Sequence, residues 1–371
     1  MSDAPAPRAS RTRLPHVLAA LYGLAIVYAS LEPFSPWLPP PPGTAFFLFG
    51  PPTRWIRYDA LLNVLAYLPF GFFVALVARG VSPGRRIVAG LVVGAAMSFA
   101  MESLQMYIPP RVASANDLAT NTVGALLGAM LATLVASNAS ARRLLYQARG
   151  RLFLPGHLGD IGVGLLLLWL VAQMNPGMPL FAVAYDTDAV TTIGNAIVAS
   201  PAPHDTADAL VQAAGSAFHV LGVGLFVALL SKRRRNAGGI VAALIFGALA
   251  LKGLAALVML KPAVWQTWLK PAVIAGICAG AILLRVAIAL PRPVQVAVCA
   301  VALLSALGAP VLAPETLSGQ VPADLFGWHY GPLLNYNGLT HTALLLWPVL
   351  AAVWLFALAG RPAWGKPADP A

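Results

Sequence analysis

The sequence predicts an all-α, polytopic integral membrane protein of about ten transmembrane helices with both termini in the cytoplasm. Three observations carry that prediction. First, 59% of the 371 residues are hydrophobic and only 10% are charged, where a soluble chain carries about 25% charged residues. The 24 Lys and Arg and 13 Asp and Glu are too few to cover a water-soluble body of this size. Second, the apolar residues are gathered into ten runs close to the roughly 20 residues that cross a bilayer. Third, the basic residues cluster between those runs. Composition therefore excludes a soluble protein, a disordered one and a secreted disulfide scaffold. The net charge of +11 reads as topology control rather than nucleic-acid binding, and no nucleic-acid partner is expected.

The runs lie near residues 16–31, 61–78, 87–108, 118–137, 158–174, 209–230, 238–260, 271–290, 294–313 and 338–359. The first follows Arg8, Arg11 and Arg13 and reads as an uncleaved anchor, although Tyr28-Ala29-Ser30 weakly resembles a signal-peptide cleavage site. Residues 32–58 hold eight prolines and the aromatics Phe34, Trp37, Phe46, Phe47, Phe49 and Trp55. Such a stretch forms neither a regular helix nor a central strand. Its aromatics belong at the outer membrane interface, as an aromatic belt or as a lid, with Arg54 and Arg57 within reach of lipid phosphate. Trp265 and Trp268 read as interface anchors too. Residues 141–157 are basic and end in Leu-Pro-Gly. They read as a cytoplasmic linker between a four-span domain, 1–140, and a six-span domain, 158–371. The fifth run is short. The eighth and ninth are separated only by Pro291, Arg292 and Pro293, which suits a tight helical hairpin.

With the N-terminus inside, seventeen of the 24 Lys and Arg fall on the cytoplasmic side, around 8–13, 79–86, 142–151 and 232–235, at 292 and at 361–366. Arg54, Arg57, Arg111, Lys261 and Lys270 fall outside, and Lys252 and Arg285 lie within spans. The opposite orientation would reverse that asymmetry. Gly90/Gly94, Gly124/Gly128 and Gly276/Gly280 have the spacing that lets helices approach closely, here read as packing inside the molecule. Cys278 and Cys299 sit in apolar runs and read as buried, reduced thiols.

Three polar pairs stand out against this background. Asp59 and Asn63 are spaced i, i+4, Glu102 and Gln105 i, i+3, and Asp117 and Asn121 i, i+4, so each pair occupies one face of its helix. All three, with Arg111, fall toward the outer ends of their spans. Glu102 lies about six residues, roughly 9 Å, below the outer end of the third span. Ionisable side chains so placed turn toward one another and away from lipid. The expected product is one outer-leaflet cluster of Asp59, Asn63, Glu102, Gln105, Arg111, Asp117 and Asn121. It could bind a polar head group, with Arg111 pairing a carboxylate. Crowded carboxylates could also supply a general acid. Beside these stand structural readings: mutual neutralisation of Arg111, Asp117 and Glu102, and Asp59, Asn116 or Asp117 as helix caps or first-turn acids.

The segments Asp59…Asn63…Pro69-Phe-Gly71, Glu102-x-x-Gln105…Pro110-Arg111 and Asp117…Asn121-Thr-x-Gly124…Gly128 resemble the VanZ-like family of bacterial membrane proteins. The Ser30-Leu31…Pro33-Phe34 turn fits as well. The resemblance covers roughly residues 15–137. The family is named after an accessory protein of glycopeptide resistance, so the resemblance implies a cell-envelope setting in the bacterial cytoplasmic membrane. It implies no reaction.

Elsewhere the signals are weaker. The exported loop 175–208 carries Asp186, Asp188, His204, Asp205 and Asp208 without metal-binding spacing and reads as a solvated acidic loop. The segment Asp324–Tyr330, with Asn335, Asn337, Thr340 and His341, places polar groups at the outer face. Thr340 or His341 could serve a ligand site there, or act as a cap or interface anchor. Lys252 reads as buried, and Arg285 as snorkelling. No Walker loop, Gly-x-Ser-x-Gly, zinc signature or dinucleotide fingerprint occurs, and no cofactor or metal is expected. Three functions stay open: a protein that binds membrane lipid or a cell-wall-precursor lipid, an embedded enzyme using Glu102 or Asp117 as acid/base, and a proton-coupled transporter. The oligomeric state is not legible.

Overall fold

The structure, a computed structural model, describes residues 12–50, 57–109, 111–175, 205–261, 269–312 and 331–361. Arg54, Trp55, Trp265, Trp268, Asp186, Asp188, His204 and Asp324–Tyr330 lie outside the described residues, as do the side chains of Arg57, Asp205, Asp208, Asn335 and Asn337.

Eleven helices run through the described residues: α1 Leu14–Leu31, α2 Arg57–Val77, α3 Pro83–Gln105, α4 Ala115–Ser137, α5 Ala139–Leu152, α6 Gly156–Gln173, α7 Asp205–Leu230, α8 Arg234–Met259, α9 Pro271–Ala287, α10 Arg292–Leu312 and α11 Gly331–Ala359. Pro lies in the first two positions of α1, α3 and α9, where a missing N–H costs nothing. No strand forms among the described residues; Phe153 and Ser231 make one isolated antiparallel bridge. Each of the ten apolar runs coincides with a helix. Seven helices are long and apolar enough to cross a membrane, while α6, α9 and α10 contribute shorter apolar stretches. The basic stretch read as a linker is itself a helix, α5, because Ala, Leu, Arg and Gln dominate it and all favour that state.

The chain divides into two compact units, Met1–Arg151 and Leu152–Ala371. In the first, α1 to α4 pack side by side, with α4 closest to α2 and then to α3. Small residues make this possible. A Cβ on Gly128 would strike the Leu68 carbonyl oxygen, and one on Gly124 that of Val64, so the α4 backbone rests directly on α2. Gly90 and Gly94 of α3 face Ala129 and Ala125 of α4. A larger cluster of Ile26, Leu31, Tyr67, Phe70, Met101 and Ile108 fills the space between α1, α2 and α3. Pro69 removes an N–H from the α2 ladder, and Tyr22 Oη donates to the Ala66 carbonyl just before it, at 2.9 Å. The Pro-rich stretch is irregular, as its composition requires. It is tied down where Leu38 N donates to Tyr107 O at 2.9 Å, and where Phe46 and Phe47 meet Phe99 of α3.

In the second unit α7 is the central, mostly buried helix, and α8, α9 and α10 all pack against it. Gly276 and Gly280 of α9 face Ala213 and Ala217 of α7, so every glycine pair read from the sequence packs within its own unit. The core is otherwise built from large side chains, among them Trp169, Phe226, Trp347 and Trp354. The indole N–H groups of Trp347 and Trp354 donate to Leu165 O and Leu158 O, both at 2.8 Å, and bind α11 to α6. Gln295 Nε2 donates to Ile288 O and Leu290 O across the short α9–α10 turn. Cys299 is buried and its thiol donates to Gly222 O, whereas Cys278 is exposed. The expectation of two buried thiols is therefore corrected: Cys278 sits between Gly276 and Gly280 but on the opposite side of α9 from α7.

Candidate functional site

The seven polar residues singled out from the sequence do gather at one end of the first unit. That end holds the C-termini of α1 and α3 and the N-termini of α2 and α4. The pairs divide into two sets with different work.

One set holds backbone. Arg111 lies between α3 and α4 and reaches back to the end of α1. Its Nε donates to Glu32 O at 2.7 Å and its Nη2 to Ala29 O at 2.8 Å. Gln105 Nε2 donates to Ser30 O at 2.9 Å. A cation at the C-terminus of a helix meets the negative end of its dipole and otherwise unpaired carbonyls. Glu102, 4% exposed, accepts at Oε2 from the backbone N–H of Ser114 at 2.8 Å. Ser114 is the N-cap of α4 and accepts in turn from Asn116 N. Glu102 therefore fixes the entry into α4. The cap is Ser114 rather than Asn116 or Asp117, and Asp59 and Asp117 are first-turn acids of α2 and α4. Burial raises the Glu32 carboxyl above its ordinary pKa against the opposing pull of the Arg111 guanidinium. Burial likewise lowers Arg111, which Glu32 and Glu102 counter.

The other set joins helices through side chains. Asn63 Nδ2 of α2 donates to Asp117 Oδ1 of α4 at 2.9 Å. Asn121 Nδ2 of α4 donates to Ser98 Oγ of α3 at 3.0 Å, while its buried Oδ1 has no hydrogen-bond partner. Asp59 lies close enough to Asp117 for their charges to interact. Asp59, Asn63 and Asp117 are only partly buried. Tyr67 lies in the field of Glu102 and Asp117, with its hydroxyl beside Ser98.

Sequence reasoning missed Tyr67, Ser98, Ser114 and Glu32. A signal existed for two of them. Tyr67 is one helical turn beyond Asn63, and Ser98 one turn before Glu102, so each shares the face of a residue already identified. No spacing rule points to Glu32 or Ser114, whose partners come from other segments.

The second unit holds a separate buried polar set. Lys252, 1% exposed, donates through Nζ to the Asn175 carbonyl, and Asn175 Nδ2 donates to Thr340 Oγ1 at 3.0 Å. Lys252 is thus buried and Arg285 exposed, as expected. Thr340 of α11 accepts from Asn175, two residues past the end of α6, and His341 is only partly buried. Trp169 Nε1 donates to His219 Nε2 at 2.8 Å. Among the described residues no group of three or more His, Cys, Asp or Glu could hold a metal ion.

The number and length of the apolar helices make this a multi-pass helical membrane protein. Within it, residues 17–136 match the VanZ/LLP1 family model, a segment that falls in the first unit and contains all seven candidate residues. No curated protein and no solved structure matches the chain.

Proposed function

We propose that the first unit binds the polar head group of a membrane lipid or lipid-linked cell-wall precursor at the outer leaflet. The observation that carries this reading is the partly buried trio of Asp59, Asn63 and Asp117 at the end of the bundle. Two neighbouring carboxylates with an amide between them accept hydrogen bonds and repel phosphate. They suit the hydroxyls of a sugar or an ammonium group. The acyl chains of the same molecule would run along the lipid-facing flanks of α2 and α4. Glu102 is bonded to Ser114 N, which favours binding over acid–base catalysis by that carboxylate.

The outward placement belongs to the proposal. It is supported by the asymmetry of Lys and Arg between loops, which puts both termini and α5 in the cytoplasm. That asymmetry also accommodates ten spans. A bacterial cytoplasmic-membrane and cell-envelope setting is supported by the family match over residues 17–136.

Native mass spectrometry of the detergent-purified full-length chain tests the reading. The wild type should retain a hydroxyl- or amine-bearing envelope lipid. Asp59→Asn and Asp117→Asn should each lower its occupancy about tenfold or more, the scale of a lost charged hydrogen bond. Identical lipid profiles from variants that melt like the wild type retire it.

A further inference from the structure

The helix α5, Ala139–Leu152, lies at the far end of the first unit from the candidate site, because α4 is about 34 Å long at 1.5 Å per residue. It has 14 residues and four arginines, and at about 21 Å it is too short to span a core of roughly 30 Å. Its sequence is nevertheless sharply two-sided. Ala141, Leu144, Leu145, Ala148 and Leu152 recur at the intervals that place them on one face. Arg142 and Arg149 border that face on one side and Arg151 on the other, while Arg143 lies behind. No acidic residue occurs in the helix.

Among the described residues nothing buries this apolar face. No residue of α5 is buried, and Leu144 and Leu145 are 69% and 55% exposed. The contact that anchors α5 uses the other side: the Arg79 guanidinium lies 5.9 Å from the centre of the Tyr146 ring, and Tyr146 sits on the polar face. Arg142 also donates to Ala136 O at the end of α4. Only Asn138 separates α5 from the membrane-spanning α4, and only residues 153–155 separate it from the apolar α6. The start of α5 therefore follows directly on the end of a helix long and apolar enough to cross a membrane.

We propose that α5 is an interfacial helix that lies in the surface of an anionic bilayer. Leu144 and Leu145 enter the acyl boundary, and Arg149 and Arg151, which flank the apolar face, reach lipid phosphates. A helix with an apolar face, flanking arginines and low overall hydrophobicity has this physical preference. Arginine stems stretch along apolar surface while their charged heads remain among head groups. The partner is the lipid surface itself, selected by negative charge. This inference does not rest on the outer-leaflet reading, since it concerns the opposite end of the unit.

The test uses the full chain reconstituted into vesicles, with Cys278→Ser and Cys299→Ala to remove native thiols and Leu145→Cys carrying an environment-sensitive fluorophore. One vesicle is phosphatidylcholine with brominated acyl chains; the other replaces about a third of it with phosphatidylglycerol, enough to set an anionic surface potential. The label should be quenched by the brominated chains, and more strongly in the anionic vesicle. Arg149→Gln with Arg151→Gln should reduce the bound-to-free ratio of α5 about fivefold per arginine removed. Arg149→Lys with Arg151→Lys should restore it. A label unquenched in both vesicles overturns the proposal, and so does quenching that is indifferent to phosphatidylglycerol. The comparison of lipids in the otherwise wild-type background stands even if the glutamine pair disturbs insertion.

Discussion

The two units pack their helices with different balances of backbone and side chain. In the first, glycines and alanines bring α4 onto the backbone of α2, so the interface contains little side-chain volume. In the second, Gly276 and Gly280 of α9 also rest on the α7 backbone, but much of the remaining contact is made by large side chains such as Trp169, Phe226, Trp347 and Leu303. Lipid tails are as apolar as leucine, so neither unit is driven together by the hydrophobic effect within the bilayer. The first relies on backbone contact between α2 and α4, and the second combines one such contact, α9 on α7, with interdigitated rings. In each, polar bonds set the register: Asn63–Asp117 and Asn121–Ser98 in one, and Trp347–Leu165 and Asn175–Thr340 in the other. Small residues specify that helices touch. Polar residues specify at which height.

The largest effect is expected from Trp347→Ala. The indole is 1% exposed and bonds the Leu165 carbonyl, and truncation of a buried tryptophan costs about 3–5 kcal/mol. Hydrogen exchange should show lost protection in residues 152–361 while α1 to α4 keep theirs. Loss in both units would break the comparison, because their stabilities would then be one quantity. Gly128→Ala should come next. The added methyl meets the Leu68 carbonyl oxygen and the Phe72 backbone nitrogen, and backbone has no alternative rotamer. The cost should fall near the top of the roughly 1–3 kcal/mol typical of overpacking. Gly84→Ala, with nothing nearby, serves as control, and equal thermal shifts for the two would refute backbone contact as the organising feature of α2 and α4.

Arg111→Met removes two bonds to the end of α1. A loss of about 2 kcal/mol is expected, with faster exchange confined to the last turn of α1. Arg111→Lys should rescue little, because an ammonium cannot reproduce the guanidinium fork. The smallest effect belongs to Glu32→Gln. Burial raises the Glu32 pKa in the folded chain, so the unfolded state ionises first as pH rises. Below the ordinary carboxylate range the two states bind the same proton and nothing is lost. Above the raised value the folded chain carries an ill-solvated charge, and its stability is lower. The variant should melt slightly higher at neutral pH and lose the slope between those two points. A variant that melts lower would mean that the carboxylate itself is a net stabilising group.

Much of the fold was legible because membrane helices announce themselves. Every apolar run coincides with a helix, and the glycine pairs face neighbours within their own units. The basic stretch between the two units is helical, and the sign of that lies in the three- and four-residue recurrence of Ala141, Leu144, Leu145 and Ala148 rather than in its charge. Cys278 was misread because an apolar run says a residue avoids water, but not whether it meets protein or lipid. At the candidate site, spacing identified which side chains share a face, so Asp59 with Asn63 and Asp117 with Asn121 were found. Spacing says nothing about backbone partners. Glu102, Gln105 and Arg111 each bond a main-chain group 12 to 82 residues away, and a carbonyl has no letter in the sequence.

The Arg111 clasp also imposes an order on biosynthesis. The helix it closes emerges from the ribosome first, and the guanidinium that closes it follows 82 residues later. At about 5–20 residues per second, α1 waits roughly 4–16 s before its final carbonyls acquire their partner. Latching is possible only after α2 and α3 have joined it. The end of the first helix is thus completed by a residue that exists only once α2 and α3 have been made.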